Sequence, residues 1–364
     1  MTVPLRAAAL DARRFVTARA GRLELDGAAW LPRGVNSYPL LQHVGNGSLG
    51  AVRDVFAQAL ALERPLVRTL AFLDCGDNPA RTRDADGCAR EQGLRALDRL
   101  LGCAAEHGVR LLLVLTNNWP DFGGAPALLK MIAPRERLAK NAFWSDPRAI
   151  EAQLAYQHAL ATRVNSVTGV RYAQDPTIFA WELANEARCE LPFWRRRTGP
   201  RTLARWAARM SAGLRHAGVQ QLIAWGGSGY LGKHGEDLRV VAAEGGVDLL
   251  TLHMYGTHIP ARRKHTRAEA AQAWGEATLR ERSTIARQAG LPLLLEEANW
   301  KPLHAGTPDA DQERAEVLGS WLACAHSLDI GTLPWMIGEE GRADHDGYLI
   351  RPDDHATCAS LLRR

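Results

Sequence analysis

A (β/α)8 TIM barrel preceded by a short N-terminal β-hairpin is the α/β architecture this sequence predicts, on three observations. Eight short β-branched or Leu-rich runs alternate with amphipathic stretches from end to end. Several of those stretches stop at a glycine just ahead of the next run, as at Gly108, Gly218 and Gly290, and glycine takes the left-handed turn at a helix C-terminus without strain. The first run ends Gly34-Val35-Asn36-Ser37-Tyr38, without the glycine-rich turn by which an open, doubly wound sheet announces a nucleotide site. Strands separated by helices imply parallel pairing through right-handed crossovers. Eight such units in about 330 residues fit a closed barrel better than the open sheet.

The candidate strands are Trp30–Asn36, Leu66–Phe72, Arg110–Thr116, Thr177–Asn185, Gln221–Gly226, Asp248–Tyr255, Pro292–Glu297 and Gly331–Ile337. Between them the helical segments are Leu49–Leu62, Gln92–His107, Asp146–Thr168, Arg201–Ala217, a weak Glu236–Glu244, Ala268–Ala289 and Ala310–Leu328. Ser145 is the expected cap of the helix at Asp146, and Pro147 suits its first turn. Residues 1–29 hold the segment FVTARAGRLELDG, a hairpin turning at Ala20-Gly21, placed to cap the N-terminal end of the barrel. No linker, internal repeat or low-complexity tract interrupts the chain, so residues 1–364 read as one domain.

Composition narrows the function classes. With 46% hydrophobic and 23% charged residues the chain is neither disordered nor fibrous. No apolar run approaches the roughly 18 residues of a membrane span. The net charge is +5, but the basic residues are scattered rather than banded. Their densest cluster, Arg195 to Arg197 beside Phe193 and Trp194, reads as a solvated loop rather than an RNA-binding patch, so no nucleic-acid partner is expected. The six cysteines (75, 88, 103, 189, 324, 358) show neither a CxxC pair nor zinc spacing and read as reduced thiols. The N-terminal MTVPLRAAALDARRF lacks the apolar stretch of a secretory signal. With Met1 as the natural start, the expectation is a cytoplasmic protein without a membrane partner.

In a (β/α)8 barrel, chemistry gathers where strands run into their C-terminal loops. Those positions read Asn36 and Tyr38, Arg68, Asn117-Asn118-Trp119, Asn185-Glu186, His253 and Tyr255, Glu296-Glu297, and Trp335. Singly, each has a plain reading: a solvated loop glutamate, a core tryptophan, a satisfied histidine, a structural arginine. Jointly they fall at the same end of different strands, which shifts the balance towards a site. No strand-end lysine is present for a Schiff base. Carboxylates with Trp and Asn suit a neutral polyhydroxylated ligand, whose CH face stacks on an indole while its hydroxyls bond at the edge. Two carboxylates across a cleft are the minimum apparatus for cleaving a glycosidic bond.

The segment from Arg163 to Gly169 (RVNSVTG) through DPTIFAWELANEARC (Asp175 to Cys189) closely resembles the retaining glycoside hydrolases of family 5, particularly their β-mannanases. So do GVNSY, VRTLAF, NNWPDFGG, LHMY, LLLEEANW and LPWMIG, in the family's order along nearly the whole chain. The resemblance implies Glu186 as general acid/base and Glu297 as nucleophile. It implies Asn185 on the sugar 2-hydroxyl, His253 and Tyr255 lining the site, and Trp335 as floor under the cleaved sugar. Asn36, Tyr38, Arg68, Asn118 and Trp119 complete the expected substrate-binding set, with Arg68 close to Glu297. Glu182, four residues before Glu186, is expected deeper in the barrel with a structural role.

The chain departs from the family's pattern at Ala187, where proline is usual, at Ala298 and Asn299, where an aromatic and glycine are usual, and at Pro120, where the mannanases tend to carry Asp. These departures motivate a rival reading, a non-catalytic carbohydrate-binding barrel. The expected reaction needs no cofactor, and no metal is expected, since Asp344-His345-Asp346 in one loop is poorly placed to converge on an ion. The expected partner is a small oligosaccharide. A cytoplasmic enzyme meets short sugars, and the long loops Trp119 to Trp144, Tyr255 to Ala268 and Gly338 to Tyr348 can wall a cleft. The expectation is therefore exo-acting β-mannosidase activity, with endo-β-1,4-mannanase action on polymeric mannan as the alternative.

Overall fold

The structure, a computed structural model, describes residues 14–260, 268–302 and 309–362. The first part of the expected cap and the centre of the loop from Tyr255 to Ala268 lie outside the described residues. Strands β1 (Val16–Arg19) and β2 (Arg22–Leu25) form the expected hairpin, Val16 opposite Leu25 and Arg19 opposite Arg22, and β3 (Ala28–Ala29) adds a third strand. Ala20 and Gly21 take φ of 50° and 76°. Two left-handed residues give the tight turn whose twist matches that of its strands.

The barrel is built from eight parallel strands. Strands β4 (Gly34–Asn36), β5 (Leu66–Leu70), β6 (Arg110–Val114), β7 (Ile178–Glu182) and β8 (Leu222–Ala224) pair in order. Strands β9 (Leu250–Tyr255), β10 (Leu293–Asn299) and β11 (Gly331–Pro334) form a second run. Parallel bridges from Ala224 to Leu249 and from Arg33 to Thr332 join the two runs on both sides and close the ring. Each of the eight expected strands is present, most of them shorter than expected.

The helices are α1 (Leu40–Gly45), α2 (Leu49–Ala61), α3 (Glu91–His107), α4 (Gly124–Ile132), α5 (Pro147–Thr162), α6 (Gly199–His216), α7 (Leu238–Glu244), α8 (Ala268–Ala289), α9 (Ala310–Ser327) and α10 (His355–Leu362). The short α1, α4 and α10 were not foreseen: two lie inside loops and the third follows the last strand. The cap of α5 is Asp146 rather than Ser145. The Asp146 side chain accepts from the Arg148 amide, and Pro147 fills the first turn, where no amide is needed. Among the described residues no helix is long and apolar enough to cross a membrane.

Alternation along the strands divides the core. Leu66, Leu112, Ala180, Ala224, Leu294 and Leu333 meet inside the barrel, where Val16 and Leu23 of the hairpin close its N-terminal end. The register slips at Phe179, which therefore joins this plug and packs on Trp30, ring centroids 5.4 Å apart. Val67, Leu111, Trp181, Ile223 and Leu295 face outward to the helices. The seam between β4 and β11 is tied by the buried Arg64, which donates to the Gly34 and Thr332 carbonyls, both at 3.1 Å, and to that of Leu361 at 2.9 Å. Gly34 is required there, because a Cβ would lie 2.5 Å from the Leu66 carbonyl oxygen.

The segment from Arg163 to Gly169 ends α5 early and works as a structural knot. Asn165 accepts from the Val167 and Thr168 amides, which turns the chain where a longer helix was expected. Asp98 on α3 is fully buried and accepts from Arg163 at 2.8 and 2.6 Å, Ser166 at 2.6 Å and Tyr172 at 2.7 Å. Burial alone would raise its carboxyl, but these donors outweigh that and hold it below the ordinary range. Removing one partner of such a pair strands the other. Asp98→Ala is therefore expected to lower the unfolding free energy by about 3 kcal/mol at pH 7, measured by urea titration. Because the folded pKa is depressed, the Asp98 contribution is full above its unfolded value of about 4 and fades as pH falls. The gap between wild type and variant should narrow at pH 3, and a gap independent of pH would refute the ionic account.

Candidate active site

Above the apolar plug the barrel interior turns polar. Arg68, on β5 and wholly buried, sends two parallel bonds to Glu182 on β7, from Nε at 2.6 Å and Nη2 at 2.7 Å. Its Nη2 also donates to Asn185 Oδ1 at 2.7 Å. Its Nη1 donates to Glu297 Oε1 at 2.5 Å, Tyr38 Oη at 2.9 Å and Asn36 Oδ1 at 3.0 Å. One cation thus fixes side chains from β4, β7 and β10. Glu182 lies on the inner face of β7 below Glu186, in the structural position expected of it, and burial pushes its carboxyl up to about 8 despite Arg68.

A bulge in β10 brings both halves of the Glu296-Glu297 pair into the site. Leu295 pairs with Leu252 but Glu297 with His253, so Glu296 is the extra residue. In an unbroken strand neighbouring side chains point to opposite faces, whereas here Glu296 reaches His253 Nε2 at 3.3 Å and Glu297 turns into the cleft. Glu297 accepts from Arg68 and from the hydroxyls of Tyr255 at 2.5 Å and Tyr38 at 3.3 Å. Burial raises both phenols, so they stay protonated and donate.

Glu186 stands opposite. Its backbone lies at φ 49°, a left-handed conformation that costs a non-glycine residue about 1–2 kcal/mol. Its amide bonds the Gly226 carbonyl at 2.8 Å. Gly226 itself has φ 84°, and a Cβ there would meet the Ala184 oxygen at 2.3 Å. The Glu186 carboxylate accepts from Ser228 Oγ at 3.0 Å and Trp119 Nε1 at 2.7 Å, and lies 3.0 Å from His253 Nδ1 and 3.6 Å from Arg188. One oxygen each of Glu186 and Glu297 and one nitrogen of His253 come within 4.8 Å of one another. Burial would raise Glu186, but the His253 hydrogen bond and charge, Arg188 and Trp119 hold it well below the usual carboxylate range. His253 would be lowered by burial, but Glu297 and its bonds to Glu186 and Glu296 push it up to about 10.

The cleft has a volume of about 610 Å³ and takes in Tyr38, Trp119, Asn185, Glu186, Tyr255, Glu297 and Trp335 from the expected set. Four expected contacts sit elsewhere. Asn36 is buried, its amide donating to the Glu296 and Leu333 carbonyls at 2.9 Å, so it ties strand ends and orients Arg68. Arg68 is fully covered by its partners and supports Glu297 from below. His253 is fully covered between Glu186 and Glu296, where it controls a carboxylate rather than lining the cleft. Asn118 is buried away from the cleft and Asn117 takes its place: Asn117 Oδ1 accepts from Asn185 Nδ2 at 3.0 Å. Neighbouring residues in extended chain point opposite ways, which is why the choice between them fails on sequence spacing alone.

Arg188, Ser228 and Tyr348 were not foreseen. Ser228 occupies the one strand end, after β8, for which no candidate was named; its signal was that blank position in an otherwise complete ring. In the loop Asp344-His345-Asp346, Asp344 and Asp346 accept from the Gly347 and Tyr348 amides at 2.7 and 3.0 Å. These carboxylates therefore shape a turn whose His345 and Asp346 border the cleft.

Comparison with known proteins agrees with this geometry. A family model described as glycoside hydrolase family 5 beta-mannosidase-like matches residues 67–301. A mannan endo-1,4-beta-mannosidase 2 of Oryza sativa subsp. japonica is 28% identical, over 96% of this chain and 82% of its own length. The crystal structure of an endo-beta-1,4-mannanase from Thermotoga petrophila superposes with a TM-score of 0.80 at 26% identity, covering 93% of this chain and 76% of that one. An exo-beta-1,4-mannosidase from Opitutaceae bacterium strain TAV5 shares the fold, with a TM-score of 0.62 at 19% identity over 92% of this chain and 54% of its own. An arginine-pinned glutamate facing a second glutamate at the mouth of a (β/α)8 barrel thus meets a family match across most of the chain: it belongs to the family 5 β-mannosidase-like glycoside hydrolases, and it is a glycosidase.

Proposed function

We propose that the chain is a retaining endo-β-1,4-mannanase, with Glu297 as nucleophile and Glu186 as general acid/base. The observation that carries the reaction type is the short gap between the two carboxylates. An approach of their oxygens within 4.8 Å matches the spacing of about 5–5.5 Å of retaining enzymes and falls short of the roughly 6.5–9.5 Å that separates the carboxyl groups of inverting ones. Glu297 attacks the anomeric carbon while Glu186 protonates the leaving oxygen. Water, deprotonated by Glu186, then releases the sugar with its configuration retained. Arg68 and the two tyrosine hydroxyls hold Glu297 aimed into the cleft. The proton that Glu186 must deliver rests in the free enzyme on His253 Nδ1, 3.0 Å away, so the two groups titrate as a pair. Trp335, half-buried beside Tyr38 with ring centroids 4.5 Å apart, offers its open face to the cleaved sugar.

The relatives of 26% and 28% identity are named as endo-acting on mannan, which supports internal cleavage over the exo action expected from the sequence. One observation favours the exo alternative: His345, Asp346 and Tyr348 border the cleft beside Trp335, as an end wall would. Products from mannohexaose separate the two. Early mannobiose and mannotriose, with falling viscosity of polymeric mannan, are expected; stepwise release of mannose alone would decide for exo action.

Two further outcomes test the residue roles. Glu297→Gln should abolish turnover, whereas Glu186→Ala should spare aryl β-mannosides with good leaving groups far more than manno-oligosaccharides, and azide should restore part of its rate as a β-mannosyl azide. Wild-type rates in Glu297→Gln would end the assignment. His253→Gln removes the group that retains the shared proton up to about pH 10. The alkaline limb of kcat/KM for mannotetraose should then move to lower pH, and an unmoved limb would show that Glu186 titrates without His253.

A further inference from the structure

Phe193 and Trp194 are the most exposed large apolar side chains among the described residues, 74% and 81% open, and nothing in the catalytic site uses them. They stand in a short 3-10 turn, Phe193–Thr198, inside the loop that runs from β7 to α6. That loop begins at Leu183 and carries Glu186, so the pair lies on the catalytic face of the barrel, within eight residues of the acid/base. The turn is well tied: the Arg195 amide bonds the Pro192 carbonyl at 2.8 Å, and Thr198 Oγ1 bonds the Arg195 carbonyl at 2.8 Å. An exposed indole on a fixed turn is a stable platform rather than a misplaced core residue.

A chain of contacts leads from the cleft to this turn. Arg188, at the cleft wall, lies over the Trp119 ring at 4.6 Å and the Tyr230 ring at 5.8 Å. Tyr230 packs on His234, centroids 5.1 Å apart, and His234 Nδ1 meets Glu190 at 2.5 Å. Glu190 is followed two residues later by Pro192, where the turn begins. Arg196 covers one face of Phe193, its guanidinium 4.5 Å from the ring, so Trp194 is the ring left open.

We propose that Trp194, flanked by Phe193, is an outer stacking platform on the acid/base side of the cleft that holds the leaving-group end of a polymeric β-mannan chain beyond the sugars seated in the cleft. The inference rests on the endo-mannanase reading. Three physical features select a polysaccharide as occupant. The platform lies in the same β7–α6 loop that carries Glu186, on the face of the barrel where the cleft opens. A flat indole accepts the CH face of a pyranose. The flanking Arg195 and Arg197 are exposed donors suited to hydroxyls at the edge of the stacked sugar.

The test compares wild type with Trp194→Ala and Trp194→Tyr in the full chain. In electrophoresis through gels containing soluble mannan, wild type should be retarded, Trp194→Ala should lose most of that retardation, and Trp194→Tyr should regain it. KM for polymeric mannan should rise about 3- to 10-fold in Trp194→Ala, the range of one lost aromatic contact. kcat/KM for an aryl β-mannoside, too short to reach the platform, should stay at the wild-type value. Equal retardation and equal KM in wild type and Trp194→Ala would overturn the proposal while leaving the mannanase reading intact; a wild type that neither binds nor cuts mannan would refute that reading itself. A wild-type dimer by light scattering that Trp194→Ala splits into monomers would also overturn it, by showing the patch to be a face between two copies of this chain.

Discussion

Everything at the catalytic mouth depends on burying one guanidinium. Arg68 has no exposed surface, and a charge there is tolerated only if every donor is met and its charge is answered. The answer is Glu182 below it, Glu297 above it and Glu296 at 3.6 Å. The planar fork is what makes this possible, since parallel bonds to Glu182 fix its plane and aim the remaining donors at Glu297, Tyr38, Asn36 and Asn185. A lysine would supply the charge without the aim.

That arrangement leaves a charge imbalance, which His253 resolves. Glu182, Glu186, Glu296 and Glu297 bring four carboxyls into a buried space that Arg68 alone cannot balance. His253 sits between Glu186 and Glu296 as a second cation, its pKa pushed up to about 10. One imidazole ring thus answers carboxyl groups on both of its sides. His253, Arg188 and Trp119 hold Glu186 below the usual carboxylate range, and a neutral sugar that displaces water removes solvation from the charged carboxylate, which favours its protonated form. The β10 bulge and the left-handed Glu186 belong to the same design: one turns two successive glutamates into the barrel, and the other lifts Glu186 out of the strand path to face Glu297.

The periodic part of this design was legible in the sequence. Eight strands, the hairpin with its Ala20-Gly21 turn and both cleft carboxylates follow from alternation, turn chemistry and a recognisable set of motifs. What escaped is what periodicity does not encode. Asn117 and Asn118 are adjacent and chemically identical, so only the local path of the chain assigns one to the cleft. Asn36 and His253 carry polar groups at the right strand ends, but their neighbours consume those groups before any ligand can. Ser228 lies in a glycine-rich stretch that reads as loop, and its role depends on Gly226 admitting the backbone close to Glu186. The early end of α5 was hidden because RVNSVTG looks like family signature, whereas its physical task is a turn knotted to Asp98.

The departures from the family pattern turn out to have structural work of their own. Asn299 stands where the family tends to carry glycine, and its amide donates to the backbone carbonyls of Trp335 and, at 2.7 Å, of Tyr348. The Trp335 amide bonds the Ala298 carbonyl at 3.0 Å. Strand β10 therefore grips both Trp335 in the cleft wall and the loop that borders it, two residues after Glu297. A change at these neighbours moves the walls relative to Glu297 without touching Arg68, His253 or either carboxylate. The barrel mouth is thus built in two layers: a buried ionic layer around Arg68 and His253, and above it a set of backbone clamps that fix the walls of the cleft.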